Sequence, residues 1–401
     1  MNLKDSKTVE SLRNGFGKAF GTVGALQCAL SPGRVNLIGE HTDYNGGLVL
    51  PLAIARHTAI VFKPNGLKKF RIFSHSIARL SGNSKHARDE FGLTLNEIPV
   101  LKDSHYHWAN YIRGVGASLL KRGVKLTGGD FYIDSDLPAG AGLSSSASLE
   151  VGVAQAMLAL AGKKMDPQQV ALAAQWAEHN YAGVRCGIMD QSVVARGKAG
   201  HALMLDCRSL KVTHVPINLK GWAFAVFDTN VRHKLAGSEY NKRRSECEHA
   251  AKVLGVKTLR EATIEEMLKA GKKLTANEHK RVRHEISENI RTSQFADLLG
   301  TGDIEALGWL LITGHQSLAH DYEVSCPELN FLAAILSSLD GCAGARMTGG
   351  GFGGSVVALV QPKHFDALRK NLARAYKKEM GRELGGALLL EPSPGAQVYS
   401  L

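Results

Sequence analysis

The chain has 401 residues, of which 44% are hydrophobic and 21% charged, and a formal net charge of +12. That length supports one or two sizeable cores, with two domains as the default, and the composition excludes a disordered chain. The positive excess favours anionic partners such as nucleotides or sugar phosphates, but Lys and Arg are scattered rather than blocked, which argues against a nucleic-acid stripe, and no apolar run is long enough to span a membrane.

In chain order, Val9, Leu12, Phe16 and Phe20 recur at helical spacing over 9–20, although Gly15 and Gly17 weaken that helix. The first ten residues, MNLKDSKTVE, hold no apolar signal-peptide core, and the six cysteines are far apart with no C-x-x-C. A reduced, cytoplasmic protein without a zinc ribbon or redox pair is expected. A short strand is expected at 25–30, followed by SPGRVNLIGEHTDYNGG (31–47), which gathers Arg34, Glu40, His41, Asp43 and Tyr44 among glycines. Strand patterns follow at 48–62, interrupted by Pro51, and at 69–74; residues 77–103 read as an irregular loop. Trp108, Ile112, Val115 and Leu119 mark an amphipathic helix over 108–120.

Residues 130–136 alternate like a strand and 149–160 read as a buried helix. Between them lies LPAGAGLSSSAS (137–148), where Gly140 and Gly142 let a bulky anion approach the backbone and Ser144, Ser145 and Ser146 add hydroxyls at a helix start. A strand, a glycine loop, serines and a helix start make a phosphate cradle; the same residues also suit a plain turn. Asp166 and Pro167 open a helix that carries Trp176 and Glu178 and ends before Gly183. CGIMDQS (186–192) precedes a strand at 201–206, and 222–228 is another. From 239 to 339 the pattern is helix-rich. Strands at 343–347 and 355–360 flank TGGGFGG (348–354), and a helix from about 364 and a short strand close the chain.

Gly349, Gly351 and Gly354 match G-x-G-x-x-G, but a valine-rich strand follows instead of a helix, so a dinucleotide fold is not expected. No Walker A loop and no protein-kinase motif set occurs, so ATP use would need another scaffold. Phosphoryl transfer requires a phosphate cradle, oxygens for Mg²⁺, a cation and a hydroxyl acceptor. Three glycine loops accompanied by Glu40, His41, Asp43, Glu178 and Asp190 offer a candidate for every part.

SPGRVNLIGEHTDYNGG resembles the galactokinase signature, while LPAGAGLSSSAS and MTGGGFGG (347–354) resemble the second and third motifs of the wider GHMP kinase superfamily. CGIMDQS, HALMLDCRSL (201–210) and GSEYNKRR (237–244) are also similar to galactokinase, in the same order along most of the chain. The resemblance implies an α+β, two-lobed fold: an N-terminal mixed-sheet domain (1–205), a C-terminal α/β domain (206–401) and a cleft between them. It implies MgATP-dependent phosphorylation of the anomeric hydroxyl of α-D-galactose, giving galactose 1-phosphate and ADP, the first committed step of the Leloir pathway.

By residue, the resemblance makes Asp190 the catalytic carboxylate and Arg34 the cation beside it. Glu40, His41, Thr42, Asp43, Gly187 and Tyr240 would hold the sugar. Gly140, Ala141, Gly142, Leu143, Ser144, Ser145 and Ser146 would wrap the triphosphate, with Ser74 and Trp108 on the nucleotide side. Ser146 and Glu178 would face Mg²⁺. A monomer with small-molecule partners only, galactose and MgATP, is expected. The alternatives are a kinase for a related sugar such as N-acetylgalactosamine and a non-catalytic galactose sensor; intact Ser144, Ser145, Ser146, Arg34 and Asp190 favour the enzyme. Two positions depart from the family pattern: Ser355, where cysteine is common, and Arg185.

Overall fold

The computed structural model describes residues 1–21, 24–137, 142–232 and 236–401, with backbone only at 236–238. Gly140 and Ala141 therefore lie outside the described residues. The strands are β1 (Gln27–Asn36), β2 (Leu48–Val49), β3 (Pro51–Pro64), β4 (Lys69–Ser74), β5 (Arg88–Gly92), β6 (Gly129–Ser135), β7 (His201–Asp206), β8 (Val212–Pro216), β9 (Ala223–Asp228), β10 (Cys342–Thr348), β11 (Ser355–Val360), β12 (Gly386–Leu389) and β13 (Gln397–Ser400). The helices are α1 (Ser6–Phe20), α2 (His75–Ser81), α3 (His107–Lys121), α4 (Ser145–Leu160), α5 (Pro167–Ala177), α6 (Met189–Arg196), α7 (Ala236–Leu254), α8 (Ile264–Ala270), α9 (Ala276–Thr301), α10 (Ile304–Ser317), α11 (Pro327–Ser338) and α12 (Phe365–Met380).

Six strands form the first sheet, in the order β13-β1-β3-β6-β4-β5, mixed because β4 and β6 run parallel while the other pairs are antiparallel. Its apolar face packs on α3, α4, α5 and α6 around Phe62, Phe131, Val151 and Ala174. On its other face Phe16 of α1 is buried with Cys28, Val61 and Tyr132. Gly15 is tolerated inside α1 because a Cβ there would fall 2.3 Å from the Tyr132 hydroxyl. The second sheet, β10-β11-β9-β12, is antiparallel and packs on α7, α11 and α12. A third sheet joins β2, β7 and β8.

A further core ties the two halves together: Val35, Leu37, Leu50 and Leu52 pack with Phe224, Phe295, Leu307 and Val357. The division drawn at 205/206 is crossed by β8 pairing with β7, by β13 returning to β1 and by a bridge between Ile54 and Pro392. No described helix is long and apolar enough to cross a membrane. All six cysteines are free thiols.

Several local expectations change. The strand expected at 25–30 runs on to Asn36, so Arg34 sits on a strand whose register shifts at Pro32/Gly33. The stretch 77–103 begins inside α2 and contains β5, a polar edge strand. The segment after CGIM coils into α6. Helix α4 begins at Ser145, four residues before the apolar pattern does, because the serines form its first turn.

Candidate active site

The cleft between the halves has a volume of about 370 Å³ and is lined by Arg34, Glu40, His41, Asp43, Glu178, Cys186, Gly187, Asp190, Tyr240 and Gly349 to Gly351. Gly33 lets the phosphate loop lie close to β1, since a Cβ there would fall 2.9 Å from the Leu143 carbonyl; that carbonyl accepts from the Arg34 amide at 3.1 Å. The third glycine turn meets the same loop from the other half: a Cβ on Gly349 would lie 3.7 Å from the Gly142 carbonyl. These approaches explain why both motifs are made of small residues.

Asp190 stands in the first turn of α6. Arg34 grips it with two parallel bonds, Nε to Oδ1 at 2.7 Å and Nη2 to Oδ2 at 2.6 Å. Such forked pairing fixes both side chains in one geometry. Arg34 Nη1 also donates to the Gly142 carbonyl, and the Ser144 hydroxyl donates to Asp190 Oδ2. Ser144 adopts φ 55°, a left-handed conformation rare for a residue with a side chain, at the point where its hydroxyl meets the carboxylate.

Glu40 is buried and ion-paired through one oxygen to Arg346 on β10. Arg346, itself fully buried, also lies 2.8 Å from Glu288 of α9. Glu288 in turn accepts from the Gly39 amide at 2.9 Å and from Arg291 at 2.8 Å. The second carboxylate oxygen of Glu40, Oε1, is buried with no hydrogen bond among the described residues. Burial pushes the Glu40 carboxyl up to about 7 against the pull of Arg346. Asp43 is pushed up to about 6 by burial and then by the neighbouring Asp190 charge.

Gly187 faces Asp43 so closely that a Cβ would fall 1.7 Å from Asp43 Oδ2. Gly187→Ala is therefore expected to turn the Asp43 carboxylate aside and, if the cleft takes the sugar that the sequence motif implies, to raise its KM by about 10- to 100-fold, the worth of one charged hydrogen bond, with the unfolding midpoint unchanged. Steady-state kinetics checks this; an unchanged KM would contradict the contact.

His41, at φ 67°, lies with its ring 5.4 Å from Tyr240 and 4.9 Å from Tyr322, and its two nitrogens meet the Tyr44 hydroxyl at 2.9 Å and the Gly350 carbonyl at 3.2 Å. Burial holds it neutral, its pKa lowered to about 3. Glu178, in the turn after α5, is buried, and burial followed by Asp190 raises its pKa. Gln191 donates to it at 2.6 Å, and the nearby Ser146 hydroxyl opposes the rise of its pKa.

Of the expected site residues that are described, Thr42, Ser74, Trp108 and Gly142 to Ser146 do not line this cavity. The Thr42 hydroxyl is buried against the carbonyls of Gly39 and Leu48, at 2.9 and 2.7 Å, so it shapes the turn and cannot face a sugar. Ser74 accepts from the Ile77 amide at 3.3 Å as the cap of α2. Trp108 donates to the His86 carbonyl at 2.9 Å and packs on the first core. Ser145 is exposed at the start of α4. Arg346 and Glu288 were not foreseen; the one signal for Arg346 is a charge inside an otherwise small and apolar strand, ARMT (345–348).

Comparisons with known proteins bear on the family and the fold. A model described as the galactokinase galactose-binding signature matches residues 14–64, and models of the GHMP kinases N-terminal and C-terminal domains match 110–198 and 295–378. A curated galactokinase of Chloroflexus aurantiacus is 44% identical over 361 residues, covering 89% of this chain and 89% of that protein. The crystal structure of Lactococcus lactis galactokinase complexed with galactose matches at a TM-score of 0.90 and 33% identity, covering 97% of this chain and 99% of that one. The crystal structure of L. major mevalonate kinase in complex with R-mevalonate, at 20% identity and a TM-score of 0.61 over 94% of this chain and 98% of that one, shares the fold.

Proposed function

The chain belongs to the galactokinase family of GHMP kinases and phosphorylates galactose with ATP as donor, and from that premise we propose how its own residues carry the reaction. The observation that carries the proposal is the free acceptor Oε1 of Glu40, buried in the same cleft as the Arg34–Asp190 pair. A buried carboxylate oxygen without a partner costs free energy until a hydroxyl reaches it. Glu40 and Asp43 accept hydrogen bonds from the sugar, Gly187 makes room for Asp43, and the Tyr240 and His41 rings wall the sugar in.

The anomeric hydroxyl meets Asp190. Of the two carboxylate oxygens, Oδ2 already receives Arg34 and Ser144, whereas Oδ1 receives Arg34 alone and has a lone pair left. Asp190 Oδ1 takes the hydroxyl proton as the sugar oxygen bonds to phosphorus and ADP departs. Because phosphoryl transfer has a loose transition state, that proton moves late, and positioning by Arg34 and Asp190 supplies much of the rate. The described part of the phosphate loop, Gly142 to Ser146, and the start of α4 hold the triphosphate with amides and hydroxyls. Ser146 and Glu178, hard oxygen donors near each other, suit Mg²⁺. Among the described residues no group of three or more His, Cys, Asp or Glu side chains could hold a metal ion by itself. When bound, that ion neutralises charge on the phosphates.

The test is ADP release with galactose present and absent, with and without Mg²⁺, and nuclear magnetic resonance of the product. Galactose- and Mg²⁺-dependent release with phosphorus coupled to the anomeric carbon is expected; release independent of galactose would overturn the reading. The raised Asp43 pKa adds a pH signature. Its charged form persists only above about 6 and that of Glu40 only above about 7, so kcat/KM for galactose should fall as pH drops from about 7 through about 6. A profile flat down to pH ~5 would contradict Asp43 as a charged acceptor.

A further inference from the structure

We propose that Arg244 is a positioning residue that clasps the two halves together over the sugar end of the cleft. This rests on the reading of the cleft as the galactose site. Tyr240 and Asn241, near the start of α7, line the cleft, and so do Cys186 and Gly187, on the loop before α6. Arg244 reaches from α7 across to that loop. Its Nη1 donates to the carbonyl of Arg185 at 2.7 Å, one residue before Cys186. Its Nε donates to Glu248 Oε1 at 2.9 Å, which fixes the guanidinium plane. The same guanidinium lies 5.8 Å over the Tyr44 ring, next to Asp43.

One side chain thus joins three segments that shape the sugar pocket: α7, the Arg185–Gly187 loop and the turn at Asp43–Asn45. A guanidinium suits this task because its planar fork serves several partners at once, which a lysine ammonium does with less geometric control. The position of the loop matters because Gly187 sits directly against Asp43. The Arg244 charge also opposes the upward push on Asp43. The Arg185 side chain has a different part: it pairs with Glu248 at 3.5 Å while both are exposed, so solvent screens the pair. The clasp therefore holds the backbone carbonyl at 185, and any side chain there should serve.

Arg244→Gln, Arg244→Lys and Arg185→Ala, each compared with the unaltered chain, test this by galactose KM, ATP KM, kcat and unfolding midpoint. Arg244→Gln is expected to raise the galactose KM by about tenfold or more, the loss of a charge-assisted bond, with ATP KM, kcat and the unfolding midpoint close to those of the unaltered chain. Arg244→Lys should recover part of that loss, and Arg185→Ala should leave the galactose KM within about twofold. An unchanged galactose KM in Arg244→Gln would overturn the proposal, as would a fall in every parameter together with a lowered unfolding midpoint, the mark of a purely structural role. If the unaltered chain shows no galactose-dependent turnover, the reading of the cleft fails first and takes the clasp with it.

Discussion

Asp190→Ala is expected to reduce kcat with galactose by more than ~10⁴-fold, beyond the ~10²–10⁴ that loss of a general base accounts for. The excess arises because the carboxylate is also the anchor of the site. It receives both forks of Arg34 and the hydroxyl of Ser144. Without it Arg34 keeps only its bond to the Gly142 carbonyl, and the left-handed Ser144 loses its partner. The sugar hydroxyl then meets neither a proton acceptor nor a fixed cation, and the advantage of holding reactants in place, equivalent to effective molarities of ~10⁵–10⁸ M, declines with it. Asp190→Asn separates the contributions: it keeps the shape but not the base, so it should retain more activity than alanine. Single-turnover kinetics reads both. Near-normal turnover in either variant would refute the role of Asp190.

The second large effect is on stability. Arg346→Met should cost about 3–5 kcal/mol, the usual penalty for removing one member of a buried ion pair. Arg346 is fully buried between two carboxylates, Glu40 and Glu288, which are themselves almost wholly buried. Glu288 keeps Arg291 and the Gly39 amide, but Glu40 loses its ion-pair partner and keeps only the weaker pull of Arg34. Burial already raises the Glu40 pKa, so without Arg346 the group gains a proton and loses acceptor capacity for a sugar. A lowered urea midpoint together with a raised galactose KM is expected. A stability loss below about 1 kcal/mol would show that the buried cation is dispensable.

What was legible in the sequence follows from how local each signal is. The alternating run at 130–136 and the Asp166–Pro167 helix start are fixed by neighbours in the chain, and β6 and α5 appear where expected. The glycine motifs were legible because close backbone approach leaves a compositional trace. The pairing of Arg34 with Asp190 spans 156 residues, and family resemblance rather than periodicity brought the two together. Arg346 and Glu288 stayed hidden: in a charged helix such as α9, Glu288 looks the same as a solvated glutamate, and only the tertiary packing of α9, against α10 and, across the joint, against β2 and the Gly39 turn, buries it. Thr42 shows the converse. Its position in the motif suggests a sugar ligand, but nearby carbonyls claim its hydroxyl. Helix α6 was missed because its eight residues are too few for a clear helical period. Arg185, odd by family pattern, has a physical place at the lobe boundary beside Glu248.

The central claim is that Glu40 and Asp43 are acceptors arranged for the hydroxyls of galactose. The measurement that tests it most directly is ADP release compared across galactose, glucose, N-acetylgalactosamine and arabinose at equal concentration. A sugar whose hydroxyl points elsewhere leaves a buried acceptor unpaired, so galactose should exceed glucose in kcat/KM by about 10²-fold or more. Equal turnover of galactose and glucose would contradict the account.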